Sequence, residues 1–335
     1  MQENLKAAKK QFSKVGGSLM LGTLVIFAVQ LLPSYIVQAV RPEWLQNGDF
    51  ALLITIVPMY LIGMPFVIWL MKRLPAEAPK RHTMSAGQFA VTAIMCYSIM
   101  YCCNIIGNIM TSIIGLLKGG AVQNTILNVA TSNNMVITFV YMVICAPIFE
   151  EYIFRKLIVD STMRYGKGIS IFLSGLMFAL FHGNLNQFVY AFGLGIFLAF
   201  IYVKTGNLKI TIALHMIINF VGGILGVLIL KLINLEELLR VSASGDMQEM
   251  MEMLQNNMGG LIVYAVYVVA LITIAITGFI LLIVFRKRFR LGTEEASCQE
   301  SMIPRGKRFS TLILNPGMLI YCLFWLAMIV VQLFM

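Results

Sequence analysis

Long apolar runs separated by short polar loops dominate the chain: Ser18–Val40, Phe50–Met71, Gln88–Leu117, Met135–Val159, Gln187–Val203, Ile210–Lys231, Gly260–Phe285 and Gly317–Phe334. A membrane-spanning helix needs roughly 20 consecutive apolar residues, so each run reads as a span. Ile169–His182 is shorter, and a tight turn leads from it into the next run. The pattern therefore predicts eight spans and a ninth apolar segment. Helices are the expected form, because backbone exposed to lipid must satisfy its own hydrogen bonds. Residues 1–17 are basic and mildly amphipathic through Lys6, Lys9, Lys10 and Lys14, which predicts an interfacial segment. The run Ser18–Val40 is too long for the core of a cleavable signal peptide and has no evident cleavage site, so it reads as a retained span.

Composition strengthens this reading. Of 335 residues, 59% are hydrophobic and 12% charged, with a mean hydropathy of +0.85. Soluble domains are apolar at roughly 45–50% and charged at about 25%. The expected fold class is all-α, a polytopic transmembrane helical bundle. The net charge of +10 resides largely in alternate loops: Lys72, Arg73, Lys80 and Arg81; Arg164 and Lys167; Lys204 and Lys209; then Arg286, Lys287, Arg288 and Arg290. Intervening loops are neutral or acidic, notably Asn234–Asn257 with Glu236, Glu237, Asp246, Glu249 and Glu252. This alternation follows the positive-inside bias and predicts a cytoplasmic N-terminus. Orientation accounts for the basic residues, and no basic patch interleaved with aromatics points to nucleic acid. Of the cysteines, Cys96, Cys102, Cys103, Cys145 and Cys322 lie in apolar spans and Cys298 does not; none forms a C-x-x-C pair, so buried thiols are expected rather than a disulfide or zinc framework. Gly115-x-x-x-Gly119 and Gly222-x-x-x-Gly226 permit close helix contact within the bundle.

Four segments organise the chain: residues 1–134 with the interfacial stretch and three spans, 135–233 with four helices, an extracytoplasmic amphipathic loop at 234–259, and the C-terminal spans at 260–335. The polar chemistry is concentrated in the second. Ala146-Pro147-Ile148-Phe149-Glu150-Glu151-Tyr152-Ile153-Phe154-Arg155 places two adjacent carboxylates inside a run that reads as membrane-spanning. A charge near the bilayer centre costs roughly 2.5–3.5 kcal/mol on insertion scales, so such residues usually line a cavity or pathway. Pro147 supplies no N–H and, in α-helical register, frees the carbonyl of Val143. Glu151 and Arg155, four apart, share a helix face, whereas Glu150 points about 100° away. One glutamate has a built-in cation and the other is free for chemistry.

Phe178-Ala179-Leu180-Phe181-His182 ends the short segment, and His215-Met216-Ile217-Ile218-Asn219 sets an imidazole and an amide four apart in a later span. At ~1.5 Å per residue from the cytoplasmic ends, His215 lies roughly 8–10 Å deep, Glu150 about 14 Å and His182 about 20 Å. Each group has a structural reading: an ion pair for Glu151–Arg155, interhelical hydrogen bonds for His182, His215 and Asn219. Together they exceed what interhelical hydrogen bonding needs. A carboxylate acting as general base toward water, with N–H donors for an oxyanion, is what amide hydrolysis requires. Other intramembrane protease designs are disfavoured. There is no H-E-x-x-H; Ser174-Gly175 lacks the glycine of a G-x-S-G; and Gly245-Asp246 has Ala243 where a G-x-G-D needs glycine.

Pro147-x-x-Glu150-Glu151-x-x-Phe154-Arg155, then Phe178-x-x-x-His182, then Thr205-Gly206-Asn207-Leu208 leading to His215-x-x-x-Asn219, resembles the CPBP family of CAAX-protease and bacteriocin-processing (Abi) intramembrane peptidases. The resemblance covers about residues 135–233. It implies a helical bundle around a polar cavity open to the cytoplasmic side, and an endopeptidase acting on membrane-associated peptides. Carried across, Glu150 activates the water with help from His182, His215 and Asn219 hold the oxyanion, and Glu151 and Arg155 support them. The family is described both as metalloproteases and as glutamate-dependent peptidases. Zn²⁺ held by Glu150, His182 and His215 is conceivable, but the oxyanion role suits His215 and Asn219 better, so no cofactor is favoured. Lys156 departs from the glycine that follows the arginine in many members, and adds charge at the cytoplasmic mouth.

The expected partners are a membrane-associated peptide or protein substrate and the lipid bilayer, in a bacterial cytoplasmic membrane. Two other readings stand beside the peptidase. Glu/His groups also form proton relays in transporters, although no pair of interrupted helices in matching halves supports a carrier. A non-catalytic membrane scaffold is the other.

Overall fold

A computed structural model describes residues 2–122, 134–233, 235–289, 291 and 303–334. Asn234, Arg290 and Cys298 lie outside the described residues, as do the side chains of Glu236 and Glu237. The described residues form helices and turns with no strand. The helices are α1 (Gln2–Val40), α2 (Gly48–Met71), α3 (Ala86–Lys118), α4 (Met135–Tyr165), α5 (Lys167–Phe181), α6 (Leu185–Thr205), α7 (Leu208–Lys231), α8 (Leu235–Ser244), α9 (Met247–Asn256), α10 (Met258–Val284), α11 (Arg308–Leu312) and α12 (Pro316–Phe334). Eight of these are long and apolar enough to cross a membrane, and α5 is the shorter apolar helix. The protein is an integral, multi-pass membrane protein. The basic N-terminal stretch continues without a break into the first span, giving one helix of 39 residues.

Short polar side chains start the helices where the hydrophobic runs begin. Ser85 and Gln88 form a reciprocal capping box at α3, Asn184 caps α6 through Gln187 N, and Asn207 caps α7 through Lys209 N. The acidic loop holds α8 and α9, joined by the Arg240–Glu249 ion pair at 2.6 Å.

The best-buried long helix is α6. α6 packs along α5 on one side and α3 on the other, and α10 packs outside α3. The first and last spans pair with each other, and α12 also touches α5. Backbones approach closely at points other than the two glycine motifs. A Cβ on Gly317 would lie within 3 Å of the Ser13 backbone in α1, whereas Gly222 and Gly226 face the side chains of Met100 and Tyr267. The large side chains opposite Gly222 and Gly226 set the spacing there, while Gly115 meets the following backbone at Gly120 and Gly119 has nothing within 4 Å. The described cysteines are all free thiols.

On the basic-loop side, an extended segment crosses the ends of α4 and α6. Glu77 N donates to Asp160 O and His82 N to Thr205 O, both at 2.7 Å, while Gln11 of α1 donates to Ser161 O at 3.1 Å. Lys156 is paired with Asp160 at 2.5 Å, and Tyr202 donates to the other oxygen of the same carboxylate at 3.0 Å. The charge that Lys156 brings to this end is thus met by a carboxylate of its own helix.

Candidate active site

The site begins with the irregular course of α4. Val140–Cys145 and Glu151–Val159 adopt the wider π-helical turn, with Ala146 N bonded to Tyr141 O five residues back. In that register the donor for Met142 O would be residue 147, which is proline. The orphaned carbonyl is therefore Met142 O rather than Val143 O, because the bulge shifts the ladder by one residue. Asn219 of α7 fills the gap: its Nδ2 donates to Met142 O at 2.8 Å.

Beyond the bulge, the two carboxylates diverge. Glu151 is fully buried; its Oε2 lies 3.2 Å from Arg155 Nε, and Arg155 is likewise fully buried. The guanidinium lies 4.2 Å from the ring centroid of Phe178, an arrangement that offsets part of the desolvation of a cation. Glu151 Oε1 is 2.9 Å from His215 Nδ1. A carboxylate so placed accepts, so Nδ1 of His215 carries a proton. The other ring nitrogen, Nε2, lies 3.8 Å from Glu150 Oε2. Glu150 keeps 15% of its side chain exposed, consistent with a carboxylate available to a reacting molecule.

His182 terminates α5, and its Nδ1 lies 2.8 Å from Phe178 O. A carbonyl can only accept, so here too Nδ1 is protonated and Nε2 is left with its lone pair. Phe178 stands perpendicular to both imidazoles, at centroid distances of 4.7 Å to His182 and 5.8 Å to His215. One aromatic ring thus packs against both histidines. Asn184 Nδ2 donates to His182 O at 2.9 Å and to Gln187 Oε1 at 2.6 Å, and Gln187 Nε2 donates to Tyr190 OH at 3.0 Å.

Sequence reasoning passed over three tyrosines. The phenols of Tyr60, Tyr141 and Tyr190 stand within Coulombic range of the Glu150 carboxylate. They come from α2, α4 and α6, and no local motif marks them. Tyr60 and Tyr141 also line a cavity of about 340 Å³ between α2 and α4, whose wall includes Leu53, Val57, Val140 and Cys145. This wall is apolar and belongs to the halves of α2 and α4 remote from the basic loops.

Glu150, His182 and His215 offer donor types that suit Zn²⁺. Both imidazoles have Nδ1 held by an acceptor, as metal-ligating histidines commonly do. Among the described residues, however, no three His, Cys, Asp or Glu side chains are grouped so as to hold a metal ion.

A family model matches the same stretch. Residues 132–221 match the family model described as type II CAAX prenyl endopeptidase Rce1-like. The membrane-embedded CAAX protease MroQ of Staphylococcus aureus (strain USA300) is 26% identical over 153 residues, covering 44% of this chain and 59% of that protein. The chain thus spans less than two thirds of the length of this relative. No solved structure matches.

Proposed function

The chain belongs to the CPBP/CAAX protease family, and from that premise we propose that it is an intramembrane endopeptidase that hydrolyses membrane-associated peptides with a water activated by Glu150. The observation that carries the reading is the division of labour between neighbouring carboxylates. Glu151 is consumed by Arg155 and His215 Nδ1, while Glu150 is partly exposed and 3.8 Å from His215 Nε2.

In the proposed reaction Glu150 takes a proton from a water whose oxygen bonds to the scissile carbonyl carbon. Nε2 of His182, with Nδ1–H committed to Phe178 O, accepts a hydrogen bond from the O–H that the water keeps, and orients it. His215 can donate through Nε2 to the developing oxyanion only when both its nitrogens are protonated, and Glu151 supplies the counter-charge for that state. Asn219 has a second amide N–H beyond the one given to Met142 O, and this serves the same oxygen. As the C–N bond breaks, Glu150 returns its proton to the leaving amine. As placed, the three candidate zinc ligands form no metal cage, and none of these steps uses one.

Small peptides resident in a bacterial cytoplasmic membrane, such as pheromone or bacteriocin precursors, are the proposed substrates, with the basic loops on the cytoplasmic side. The test is a cleavage assay on such peptides with purified protein in lipid, comparing wild type with Glu150→Ala, each with and without chelator. Wild-type cleavage that survives the chelator and vanishes in folded Glu150→Ala supports the proposal. Full activity in Glu150→Ala removes it. Chelator-sensitive cleavage replaces the metal-free step with a zinc-dependent one, which the fixed Nδ1–H tautomers of both histidines would also suit.

A further inference from the structure

The last span lies outside the stretch that matches the family model, yet it reaches the turn that carries His182. That turn is short and sharply bent. α5 ends at Phe181, His182 N and Gly183 N close tight bonds to Ala179 O and Leu180 O at 3.3 and 2.9 Å, and Gly183 has φ +64°. The direction of the His182 ring depends on this turn, because His182 opens it while the carbonyl that fixes Nδ1 belongs to Phe178 in the helix just before it.

Two side chains of α12 brace it from outside. Tyr321 OH donates to Met177 O at 2.9 Å, one turn before the histidine. The Trp325 indole lies so close to Gly183 that a Cβ there would come 2.8 Å from Cζ3, and it packs on Phe181 with ring centroids 5.4 Å apart. Trp325 is itself boxed by Phe27 of α1, at 6.0 Å, and Phe324, at 5.4 Å. Further along, Gly317 N donates to Ser13 Oγ at 3.1 Å where the first and last spans cross. A rigid paired helix therefore presses an aromatic plane against the residue next to His182.

We propose that Trp325 and Tyr321 are positioning residues for His182, and that the paired terminal spans serve as its brace. The role of His182 in cleavage rests on the proposed function, but its ring geometry does not. The test uses the full-length protein in nanodiscs with ¹⁵N-labelled histidine, which gives only three ring systems, His82, His182 and His215. Wild type is expected to show His182 in one tautomer, protonated at Nδ1. Trp325→Ala is expected to average the two tautomers, and Trp325→Phe, which keeps an aromatic face against Gly183, to restore the wild-type signal. On a cleaved peptide, kcat in Trp325→Ala is expected to fall about ten- to a hundredfold with KM little changed, the effect of a misplacement on the order of 1 Å.

If Trp325→Ala does not fold, Trp325→Leu, which retains apolar bulk but loses the plane, carries the same readout. A folded Trp325→Ala or Trp325→Leu in which His182 keeps the wild-type tautomer overturns the inference whatever its activity. Absence of any cleavage by wild type would instead strike the proposed function, and the tautomer measurement would still decide the brace.

Discussion

Glu151 Oε1 stands 2.9 Å from His215 Nδ1, so the carboxylate paired with Arg155 also dictates which nitrogen of His215 turns toward Glu150. Three roles converge on one buried side chain: counter-ion, tautomer lock and neighbour of the free carboxylate. A bilayer interior makes each role expensive to lose, since a charge left alone there has neither water nor a partner.

The Glu151–Arg155 pair should behave as a unit. Arg155→Met leaves a buried carboxylate without its permanent cation and is expected to destabilise the protein by about 3–5 kcal/mol, and Glu151→Gln by a similar amount. The double variant removes both charges and should recover much of that loss, while losing activity because His215 Nδ1 no longer faces a carboxylate. Thermal unfolding of the three variants in one detergent measures the coupling. Strictly additive losses would show that the two charges do not support each other.

Asn219 has two duties, and they can be separated. Asn219→Ala leaves Met142 O without a donor, at a cost of about 1–3 kcal/mol for a buried unsatisfied group. Pro147→Ala introduces an N–H in the position that the π-helical register assigns to that carbonyl, so adding it to Asn219→Ala should return most of the stability. Cleavage activity should not return with it, because the second amide N–H is still missing. Recovery of activity along with stability would assign Asn219 a structural duty alone.

The sequence shows spans plainly because a run of apolar residues meets one requirement, a lipid-facing helix, that needs no knowledge of neighbours. The run ending at His182 stops within a residue of the end of α5, since the polar Gly183–Gln187 stretch cannot extend an apolar helix. The face shared by Glu151 and Arg155 was equally legible, as it follows from local spacing. Local spacing says nothing of helix register once a proline intervenes, so the orphaned carbonyl moved from Val143 to Met142. Nor does it reveal which faces meet. In lipid a helix can be apolar all round, which hides Tyr60 from any search for the neighbours of Glu150 and Trp325 from any search for those of His182. The Gly222-x-x-x-Gly226 motif gave the possibility of close contact but not its partner, for the same reason. Small residues permit close approach, but the large side chains of Met100 and Tyr267 opposite Gly222 and Gly226 decide whether it occurs.

The extended segment on the basic-loop side depends on one glycine. Gly206 ends α6 at φ +55°, and a Cβ there would lie 2.4 Å from Lys80 O and 2.7 Å from Pro79 O, so an alanine meets backbone that cannot swing aside as a side chain could. Gly119 ends α3 at φ +75° with nothing within 4 Å of the same position. Both substitutions carry the left-handed backbone penalty of roughly 1–2 kcal/mol, but only Gly206→Ala should also push the segment off the ends of α4 and α6. The expected outcome is a larger loss of thermal stability for Gly206→Ala than for Gly119→Ala, with new protease cleavage between Leu74 and Ser85 in the former only. Since His82 N donates to Thr205 O beside this glycine, amide exchange at His82 should rise as well. Equal destabilisation by the two alanines, with the segment still protected, would mean that it is held by Gln11, whose Nε2 also lies 3.4 Å from Pro75 O, and by Asp160, without help from Gly206.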